Sequence, residues 1–227
     1  MIKIAICNVK DLKLEKAIKK VSQKRQEKIN KYHFTKDKKL SCGAELLLNH
    51  LLQEENITNP IYEEDFYKKP YIQNHKIEFN LSHSKEMVAC AISDKPIGID
   101  IEYIDKNIDL DIAKHYFYNN EYENIIQAKD QAKEFFKYWV LKESFMKYTS
   151  LGFNINLDEF NIDLQEEHIN VILKNKEKTK KQIQKNKDRT IKLENIKFKL
   201  FELKDYMLAI SSQEVMNDYK EINIQEL

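Results

Sequence analysis

The chain has 227 residues, 42% of them hydrophobic and 33% charged, which is enough to bury one large core or two small ones. Its 38 basic and 37 acidic residues leave a formal charge of +1, so the overall charge indicates no nucleic-acid partner and any basic site must be local. No apolar run is long enough to cross a bilayer, which argues against an integral membrane protein.

The cysteines and the N-terminal residues both indicate an intracellular protein. Cys7, Cys42 and Cys90 lie in apolar stretches and form no C-x-x-C pair, so we interpret them as core residues in a reducing compartment. Residues 1–9 alternate like a strand and lack the basic leader and apolar run of a signal peptide. We therefore expect the protein to be cytoplasmic.

Helical patterns follow the first strand. Residues 11–33 are rich in Lys, Glu and Gln and predict helix, and residues 38–54 carry a clear amphipathic pattern of leucines. Residues 61–71 contain Pro70 and predict turns with short extended pieces. The first helical stretch contains a basic cluster, which alone is typical of a solvated helix face: Lys24, Arg25, Lys28 and Lys31.

Three strands are predicted between residues 77 and 102. Residues 77–84 alternate into a polar cluster, residues 87–93 form a continuous apolar run typical of a buried strand, and residues 97–102 alternate strictly. Only Asp94, Lys95 and Pro96 join the second of these strands to the third. Because so short a link is typical of a hairpin, we expect those two strands to pair antiparallel.

The rest of the chain predicts helices followed by strands. Two stretches predict helix, 111–118 and 121–127, and three alternate like strands, 157–173, 192–203 and 206–211. Between the first and the second of these strand stretches, residues 174–189 are rich in Lys, Gln and Asn and have almost no apolar residues. This composition predicts an exposed or mobile loop.

A long helix without Gly or Pro is predicted over residues 135–148, and its apolar residues run nearly all the way round. We therefore expect a mostly buried central helix, although it carries charges near its middle. Trp139, Glu143 and Lys147 are spaced four residues apart and share one stripe. A surface Glu–Lys pair of small energetic value is the alternative interpretation of this stripe.

The strand at residues 97–102 points two carboxylates the same way. Asp100 and Glu102 alternate with Ile99 and Ile101, so the acids share one face while the isoleucines enter the core. Neighbouring carboxylates repel each other, and Mg²⁺ relieves that repulsion because it prefers oxygen ligands. In isolation, a half-exposed strand with an acidic solvent face is the simpler interpretation.

The polar cluster of Ser82, His83 and Ser84 does not favour nucleophilic catalysis, because the chain has no G-x-S-x-G elbow. A histidine among hydroxyls fits either phosphate binding or a hydrogen-bonded strand end. The chain also lacks Walker A and G-x-G-x-x-G motifs and has only three glycines. Any phosphate must therefore be bound by Lys, Arg, His and a metal rather than by a glycine-rich loop.

A short internal echo relates residues 86–93 to residues 205–211, and each stretch follows a strand that carries an aromatic residue. Two similar α+β halves packed side by side would produce such an echo. Chance is the competing explanation, because the matching stretches are short.

Taken in order, these pieces resemble the 4'-phosphopantetheinyl transferases of the surfactin-synthetase type. The combination of G-I-D-I-E with W-x-x-K-E-S-x-x-K some forty residues later is highly specific, and the likeness runs from about residue 24 to residue 211. The matching stretches are Y-K-K-P-Y (67–71), F-N-L-S-H-S (79–84), P-I-G-I-D-I-E (96–102), the stretch 117–122 and W-V-L-K-E-S-F-M-K (139–147).

The resemblance implies an α+β fold in which two similar halves, residues 1–104 and 105–227, form a pseudo-dimer with coenzyme A in the cleft between them. It implies transfer of the 4'-phosphopantetheine arm of coenzyme A to a serine of an apo acyl or peptidyl carrier protein. Mg²⁺ would be the cofactor and adenosine 3',5'-bisphosphate the second product. We expect a monomer that binds neither nucleic acid nor a membrane.

The resemblance also implies roles for individual residues. Asp100, Glu102 and Glu143 would hold the metal, with their carboxyl groups converging on one point. Glu143 could also deprotonate the carrier serine, directly or through water, although a metal-bound carboxylate is a poor base. Lys147 would lie against the phosphates and stabilise the leaving group. The residues implied to bind coenzyme A are Lys24, Lys28, Lys39, Lys69, Ser82, His83, Lys142 and Lys147.

Two features depart from the family's pattern. Lys68 stands where the family has a glycine before Lys-Pro, which puts the turn beside the adenine in doubt. Residues 174–189 are longer and more basic than the family's segment, so they predict either a contact for an acidic carrier protein or a solvated loop.

Two alternative functions stay open: a non-catalytic coenzyme A-binding module and a Mg²⁺-dependent coenzyme A phosphohydrolase. The presence of all three acids and Lys147 argues against the first.

Overall fold

The computed structural model describes residues 1–165, 168–214, 216 and 218–227. The elements up to residue 93 are β1 (Ile2–Asn8), α1 (Leu14–Ala17), α2 (Gln23–Asn30), α3 (Thr35–Glu54), β2 (Tyr62–Glu64), β3 (Pro70–Ile72), β4 (Glu78–Ser84) and β5 (Met87–Ser93). Those that follow are β6 (Ile97–Tyr103), α4 (Asp111–Tyr116), α5 (Asn119–Gln127), α6 (Gln131–Tyr148), β7 (Phe160–Gln165), β8 (His168–Leu173), α7 (Lys176–Gln184), β9 (Lys197–Glu202), β10 (Tyr206–Ser212) and β11 (Lys220–Glu221).

Two sheets repeat one topology. The first has the strand order β11-β1-β5-β4 and the second has the order β6-β10-β9, with antiparallel pairing except between β11 and β1. Each half runs strand, long helix, hairpin and two further strands: β1, α3, β2–β3, β4–β5, then β6, α6, β7–β8, β9–β10. The echo between residues 86–93 and 205–211 falls on β5 and β10, the middle strands of these repeats. The α+β pseudo-dimer is thereby confirmed.

Each long helix covers one sheet with its apolar side. The helix α3 packs on β5, β1 and β4, and α6 packs on β6 and β10. The predicted helical stretch 11–33 breaks at Val21, which is extended, and Ser22 then caps α2 by accepting the backbone N–H of Arg25 at 3.2 Å. Among the described residues, no helix combines the length and the apolarity needed to cross a membrane.

The predicted antiparallel pairing of β5 with β6 is wrong. Both edges of β5 are already taken, by β1 on one side and by β4 on the other. The strand β6 instead pairs with β10 in the second sheet. A three-residue link permits a hairpin but does not require one when the first strand is central in its sheet. The division of the halves at residue 104 stays a prediction, and β6, although it ends at Tyr103, pairs with the second sheet.

The two sheets meet where β4 lies beside β6, and side chains close this seam. Asn80 Oδ1 accepts the backbone N–H of Ile99 at 2.8 Å. Ser84 Oγ accepts the backbone N–H of Tyr103 at 3.1 Å. Because buried backbone donors must find partners, these side chains replace the strand–strand hydrogen bonds that a continuous sheet would supply.

Glycine at position 98 lets α6 cross β6 at close range. A Cβ atom on Gly98 would lie 2.0 Å from the carbonyl oxygen of Ser144 and 2.5 Å from the backbone nitrogen of Tyr148. Both are backbone atoms of α6 and cannot rotate away, so only glycine permits this contact. The expectation that α6 is mostly buried is confirmed, and the stripe of Trp139, Glu143 and Lys147 is half-buried.

A buried ion pair joins α5 to α6. The side chains of Lys142 and Glu121 are both 0% exposed, and their Nζ and Oε2 atoms are 2.8 Å apart. Lys142 Nζ also donates to the carbonyl oxygens of Leu157 at 2.8 Å and Phe160 at 2.7 Å. Glu121 Oε1 accepts the backbone N–H of Ile162 at 2.7 Å. Both buried charges are therefore compensated, and the pair fixes the chain that leads into β7.

Residues 174–189 are not the exposed loop that their composition predicts. They contain α7, whose first turn is capped by Asn175 Oδ1 accepting the backbone N–H of Lys178 at 2.9 Å. Thr179 and Ile183 are buried on its inner side while most of the lysines remain in solvent. A single isoleucine is too weak an apolar signal for a helical period, which is why the sequence predicts a loop.

We predict that Gly98→Ala lowers the free energy of unfolding by about 1–3 kcal/mol, because the added methyl group meets α6 backbone. Urea unfolding measures the effect. Gly43→Ala is the matched control, since its Cβ would meet the side-chain atom Cγ1 of Val9, which can rotate. A Gly98→Ala protein as stable as the Gly43→Ala protein would show that the close crossing is not required.

Candidate active site

A cleft of about 310 Å³ opens where β4 and β6 meet the half-buried stripe of α6. The stripe faces this cleft rather than bulk solvent. The lining residues are Leu81, Ser82 and His83 from β4, Asp100 and Glu102 from β6, Trp139, Glu143 and Lys147 from α6, and Phe153 from the following segment. Trp139 is held in place by stacking on Phe135 and Phe117, with ring centroids 5.8 and 6.2 Å away.

The alternation of β6 sends its acids and its isoleucines to opposite sides, as predicted. Ile99 and Ile101 are fully buried in the core between the sheets. Asp100 is only 2% exposed, so the interpretation of an acidic solvent face does not describe it. A carboxylate buried this deeply needs compensation from neighbouring donors.

Serine hydroxyls from β4 supply part of that compensation. Ser82 Oγ donates to Asp100 Oδ1 at 2.8 Å, and Ser84 Oγ donates to Glu102 Oε2 at 2.6 Å. The alternate residues of β4 therefore point toward β6, with a hydroxyl opposite each acid. Ser84 was not singled out as a site residue from the sequence, although the N-x-S-x-S alternation of residues 80–84 carried the signal.

The ammonium group of Lys147 completes the contacts of Asp100. Lys147 Nζ lies 2.6 Å from Asp100 Oδ1 and 3.1 Å from Ser82 Oγ. Lys147 thus pairs with an acid on another element, and the surface Glu–Lys pair considered for α6 does not describe it. The backbone oxygen of Lys147 accepts a hydrogen bond from Lys69 Nζ at 2.6 Å, and Lys69 Nζ also donates to the carbonyl of Ile97 at 2.8 Å.

Two of the cleft's acids, Glu102 and Glu143, have raised pKa values. Burial and the nearby Asp100 raise the pKa of Glu102 to about 7. The same two causes raise the pKa of Glu143. Asp100 Oδ2 and Glu143 Oε1 are buried without a hydrogen-bond partner. Unpartnered carboxylate oxygens beside a second and third acid are a donor set that suits a hard divalent cation such as Mg²⁺.

The expectation that the three carboxyl groups converge on one point is wrong for this conformation. Asp100, Glu102 and Glu143 line one cleft, but in the part of the chain that the structure describes no three acidic, histidine or cysteine side chains form a ready metal-binding group. The contacts explain this arrangement, because Lys147 occupies Asp100 Oδ1 and Ser84 occupies Glu102 Oε2. The assignment of these acids as metal ligands stays a prediction.

A second pocket of about 360 Å³ lies on the first half of the chain, and we call it the basic pocket because its four cationic residues outnumber the glutamates that also line it, Glu45, Glu63 and Glu64. Lys24 and Lys28 of α2 line it together with Lys68, and Tyr62 and Phe79 form apolar walls. The neighbouring Arg25 also lines the pocket, but its Nε is held by Glu45 Oε2 at 2.7 Å. The basic cluster predicted as a solvated helix face therefore borders a cavity.

His83 lines the acidic cleft and is also exposed at the surface. Partial burial of its ring lowers the pKa of His83, and the positive charges of Lys147 and Lys28 lower it further. One of these lysines lines the cleft and the other lines the basic pocket, so charges from both cavities act on the ring.

Three predicted coenzyme A ligands are engaged elsewhere. Lys142 does not reach either cavity, because its side chain is fully buried against Glu121, and the expectation that it contacts coenzyme A is wrong. Lys39 Nζ donates to the carbonyl of Lys10, and Lys39 lines neither cavity. Lys69 is buried between the halves, where burial and the charge of Arg189 lower its pKa. The sequence could not reveal this, because neither helix spacing nor a motif shows whether a lysine is buried or which backbone carbonyl its ammonium group contacts.

Phe153 is a cleft residue that the sequence did not reveal. Its side chain is 78% exposed, yet it lines the cleft opposite the α6 stripe. In the sequence it stands directly after Gly152, and no motif marks it. An exposed large aromatic residue beside a cleft indicates a contact surface. The sequence could not show this, because the exposure of a side chain is known only from the folded structure.

Two family models match this chain over adjoining ranges. One is described as the 4'-phosphopantetheinyl transferase superfamily and matches residues 96–211. The other is described as 4'-phosphopantetheinyl transferase, N-terminal, and matches residues 9–95. The two matches meet between β5 and β6, the point at which the chain passes from the first sheet to the second.

Curated relatives carry the same description. Over 162 residues the chain is 38% identical to the 4'-phosphopantetheinyl transferase gsp of Aneurinibacillus migulanus, covering 69% of this chain and 67% of that protein. Over 154 residues it is 31% identical to the 4'-phosphopantetheinyl transferase Sfp of Bacillus subtilis strain 168, covering 65% and 68% respectively. A solved holo-ACP synthase from Plasmodium yoelii aligns with a TM-score of 0.39 and 17% identity, covering 51% of this chain and 91% of that one.

The superfamily match extends over more than half of the chain, and the identity to the Aneurinibacillus protein extends over two thirds of that protein. Together with the repeated α+β topology, they place the cleft in a known class of enzyme. This chain belongs to the 4'-phosphopantetheinyl transferases of the surfactin-synthetase-activating type.

Proposed function

We propose that this transferase moves the 4'-phosphopantetheine arm from coenzyme A to a serine of an apo acyl or peptidyl carrier protein, with Mg²⁺ as cofactor and adenosine 3',5'-bisphosphate as the second product. The observation that supports this assignment is an acidic cleft containing Lys147 beside a separate lysine-lined pocket. The substrate has matching chemistry, because its pyrophosphate connects a 3'-phosphoadenosine to an uncharged arm.

The basic pocket suits the nucleotide end of coenzyme A. Lys24 and Lys28 offer positive charge to the 3'-phosphate, and Tyr62 and Phe79 offer apolar surface to the adenine. His83 lines the acidic cleft, and the charges of both Lys28 and Lys147 act on it. A pyrophosphate that extends from the basic pocket into the cleft would pass these cationic groups in turn.

Asp100, Glu102 and Glu143 are the residues that would hold Mg²⁺. When bound, the ion neutralises charge that develops on the phosphate oxygens during transfer. The protein's own contribution is to bury the acids, so that their mutual repulsion favours a cation over an empty cleft. The hydroxyls of Ser82 and Ser84 orient two of the three carboxylates before any ligand arrives.

In the transfer step, the carrier serine oxygen forms a bond to the phosphorus that bears pantetheine. The bond from that phosphorus to the bridging oxygen breaks, and the electron pair leaves with adenosine 3',5'-bisphosphate. Lys147 stabilises the negative charge on the leaving oxygen. The serine proton goes to Glu143 or through it to water.

A larger groove of about 610 Å³ adjoins the cleft and suits the pantetheine arm. It shares Trp139 and Phe153 with the cleft and is bordered further out by Ile112 and Leu157. These apolar walls match an arm that carries amides but no charge. The exposed Phe153 would then separate the reacting phosphate from the thiol end of the arm.

We also propose that the protein acts as a monomer in the cytoplasm. Its three cysteines are free and buried, as expected for a chain that works in a reducing compartment. Light scattering at working concentration tests the monomer, and a stable dimer would overturn it.

The proposed transfer leads to a prediction about Glu143. The wild-type protein, coenzyme A and Mg²⁺ should add one phosphopantetheine to an apo carrier domain, as seen by intact mass. Glu143→Gln should slow this transfer by about 10²-fold or more, because the group that holds the serine proton is lost. Glu134→Gln is the matched control: it lies on the same helix, outside the cleft, where it pairs with Lys137.

Other results of this assay would contradict the proposal in distinct ways. Near-normal transfer by Glu143→Gln would show that its role is wrong. Binding of coenzyme A without transfer to any of several carriers would favour the non-catalytic module. Release of free phosphopantetheine in the absence of a carrier would favour the phosphohydrolase.

The proposed Mg²⁺ cofactor leads to a separate prediction. Chelation by EDTA should abolish transfer, and added Mg²⁺ should restore it. Trp139 is the only tryptophan and lines the cleft, so its fluorescence in the coenzyme A complex should report Mg²⁺ binding. Asp100→Asn and Glu102→Gln should each raise the half-saturating Mg²⁺ concentration by about tenfold or more. The control is Glu202→Gln, which removes an exposed acid on β9, and a Mg²⁺ titration equal to wild type in both cleft variants would refute the ligand assignment.

A further inference from the structure

We propose that Arg189 is a positioning residue for the nucleotide pocket: from the second half of the chain it holds the turn of residues 65–69, which contributes Lys68 to the pocket wall. This inference rests on the proposed coenzyme A site. Arg189 follows α7 in the most lysine-rich part of the sequence, yet its side chain is only 2% exposed. A guanidinium group is rarely buried without specific anionic partners.

The partners of Arg189 lie on the first half of the chain. Its Nη2 donates to the carboxylate of Glu78, the first residue of β4. Its Nη1 lies 3.8 Å from Asp65 Oδ2, which also accepts a hydrogen bond from Asn186 Nδ2 at 2.9 Å. The Asp65 side chain is 0% exposed, so the second half supplies the groups that compensate its buried charge.

The other oxygen of Asp65 builds the turn. Asp65 Oδ1 accepts the backbone N–H of Tyr67 at 2.9 Å and that of Lys69 at 3.0 Å. The backbone of Asp65 adds hydrogen bonds to Lys68 and Lys69 within the same turn. One carboxylate therefore faces the turn with one oxygen and the second half of the chain with the other.

The turn needs this support because Lys68 has φ = +68°, in the left-handed region that favours glycine. The departure from the family's glycine thus keeps a glycine-like backbone while adding a side chain. That side chain and Pro70 line the basic pocket. Movement of the turn would displace both from Lys24 and Lys28 on the opposite wall.

A further contact ties the turn to α7. Tyr67 Oη donates to the carbonyl oxygen of Gln182 at 2.7 Å. The turn is therefore fixed from the second half by Gln182, by Asn186 and by Arg189, of which only Arg189 carries charge. Loss of that charge removes the cation that lies within ion-pair distance of Asp65 Oδ2 and leaves neutral donors in contact with this buried anion.

The test compares Arg189→Ala and Arg189→Lys with the wild type and with Lys187→Ala, which removes an exposed charge two residues away. Calorimetry should show that Arg189→Ala weakens coenzyme A binding about tenfold, because a wall of the pocket is displaced. Arg189→Lys should recover part of the loss, and Lys187→Ala should bind as wild type does. The kcat at saturating coenzyme A should change less than the KM for coenzyme A.

Hydrogen exchange tests the turn independently of coenzyme A. The amides of Tyr67 and Lys69 should exchange faster in Arg189→Ala than in Lys187→Ala, because both donate to Asp65. Unchanged exchange and unchanged affinity would overturn the inference. A wild-type protein that does not bind coenzyme A would overturn the proposed function instead, and the exchange result would still decide whether Arg189 holds the turn.

Substitutions at position 68 supply a suppressor. Lys68→Gly relieves the left-handed strain, so Arg189→Ala should cost less affinity in that background than in the wild type. Lys68→Ala removes the ammonium group but keeps the strain, so it should not suppress. If Arg189→Ala fails to fold, Asn186→Ala removes one neutral support of Asp65 and should give faster exchange at Tyr67 and Lys69. Equal costs of Arg189→Ala with and without Lys68→Gly would contradict the role of the turn.

Discussion

The structure depends on how two sheet edges meet at β4 and β6 without a shared backbone ladder. Facing strand edges carry unpaired N–H groups, and burying them requires acceptors. Asn80 and Ser84 provide those acceptors through their side chains. The same row of side chains on β4 also presents Ser82 to Asp100. Ser84 accepts the backbone N–H of Tyr103 and donates to Glu102, so one side chain both joins the halves and orients an acid of the cleft.

Two neighbouring charged residues of α6, Lys142 and Glu143, differ in how completely hydrogen bonds and ion pairs compensate their charges. Lys142 and Glu121 are both fully buried, and backbone groups complete their contacts. Glu143, the next residue, turns toward the cleft and keeps a buried oxygen without a partner. Asp100 is paired with Lys147 through one oxygen and keeps the other unpartnered. The fully hydrogen-bonded pair of Lys142 and Glu121 stabilises the core. The unpartnered carboxylate oxygens of Glu143 and Asp100 instead destabilise the unliganded protein, and a bound ligand can remove that cost.

Periodicity predicted what depends on local spacing and missed what depends on distant partners. The faces of β6 and the buried length of α6 follow from periods of two and 3.6 residues, so Asp100 and Glu143 were found. The pairing of β6 with β10 was missed because it joins residues that are a hundred positions apart. The helix α7 was missed because Ile183 is the single apolar residue on its buried side. Lys142 was assigned to coenzyme A by its motif, although the carbonyl groups that bind its ammonium lie beyond the end of α6.

The basic pocket depends on distant partners in the same way. Its walls belong to α2, α3, β4 and the hairpin β2–β3 of the first half, yet the turn that carries Lys68 is held by Arg189 from beyond α7. Suppose that a ligand binds only when the turn is ordered. Docking of the two halves then strengthens ligand binding, and ligand binding stabilises docking by the same free energy. Nucleotide binding and assembly of the acidic cleft are then linked, because the seam that holds Asp100 is part of that docking. Occupation of the basic pocket would therefore favour the conformation in which the reacting groups are in place.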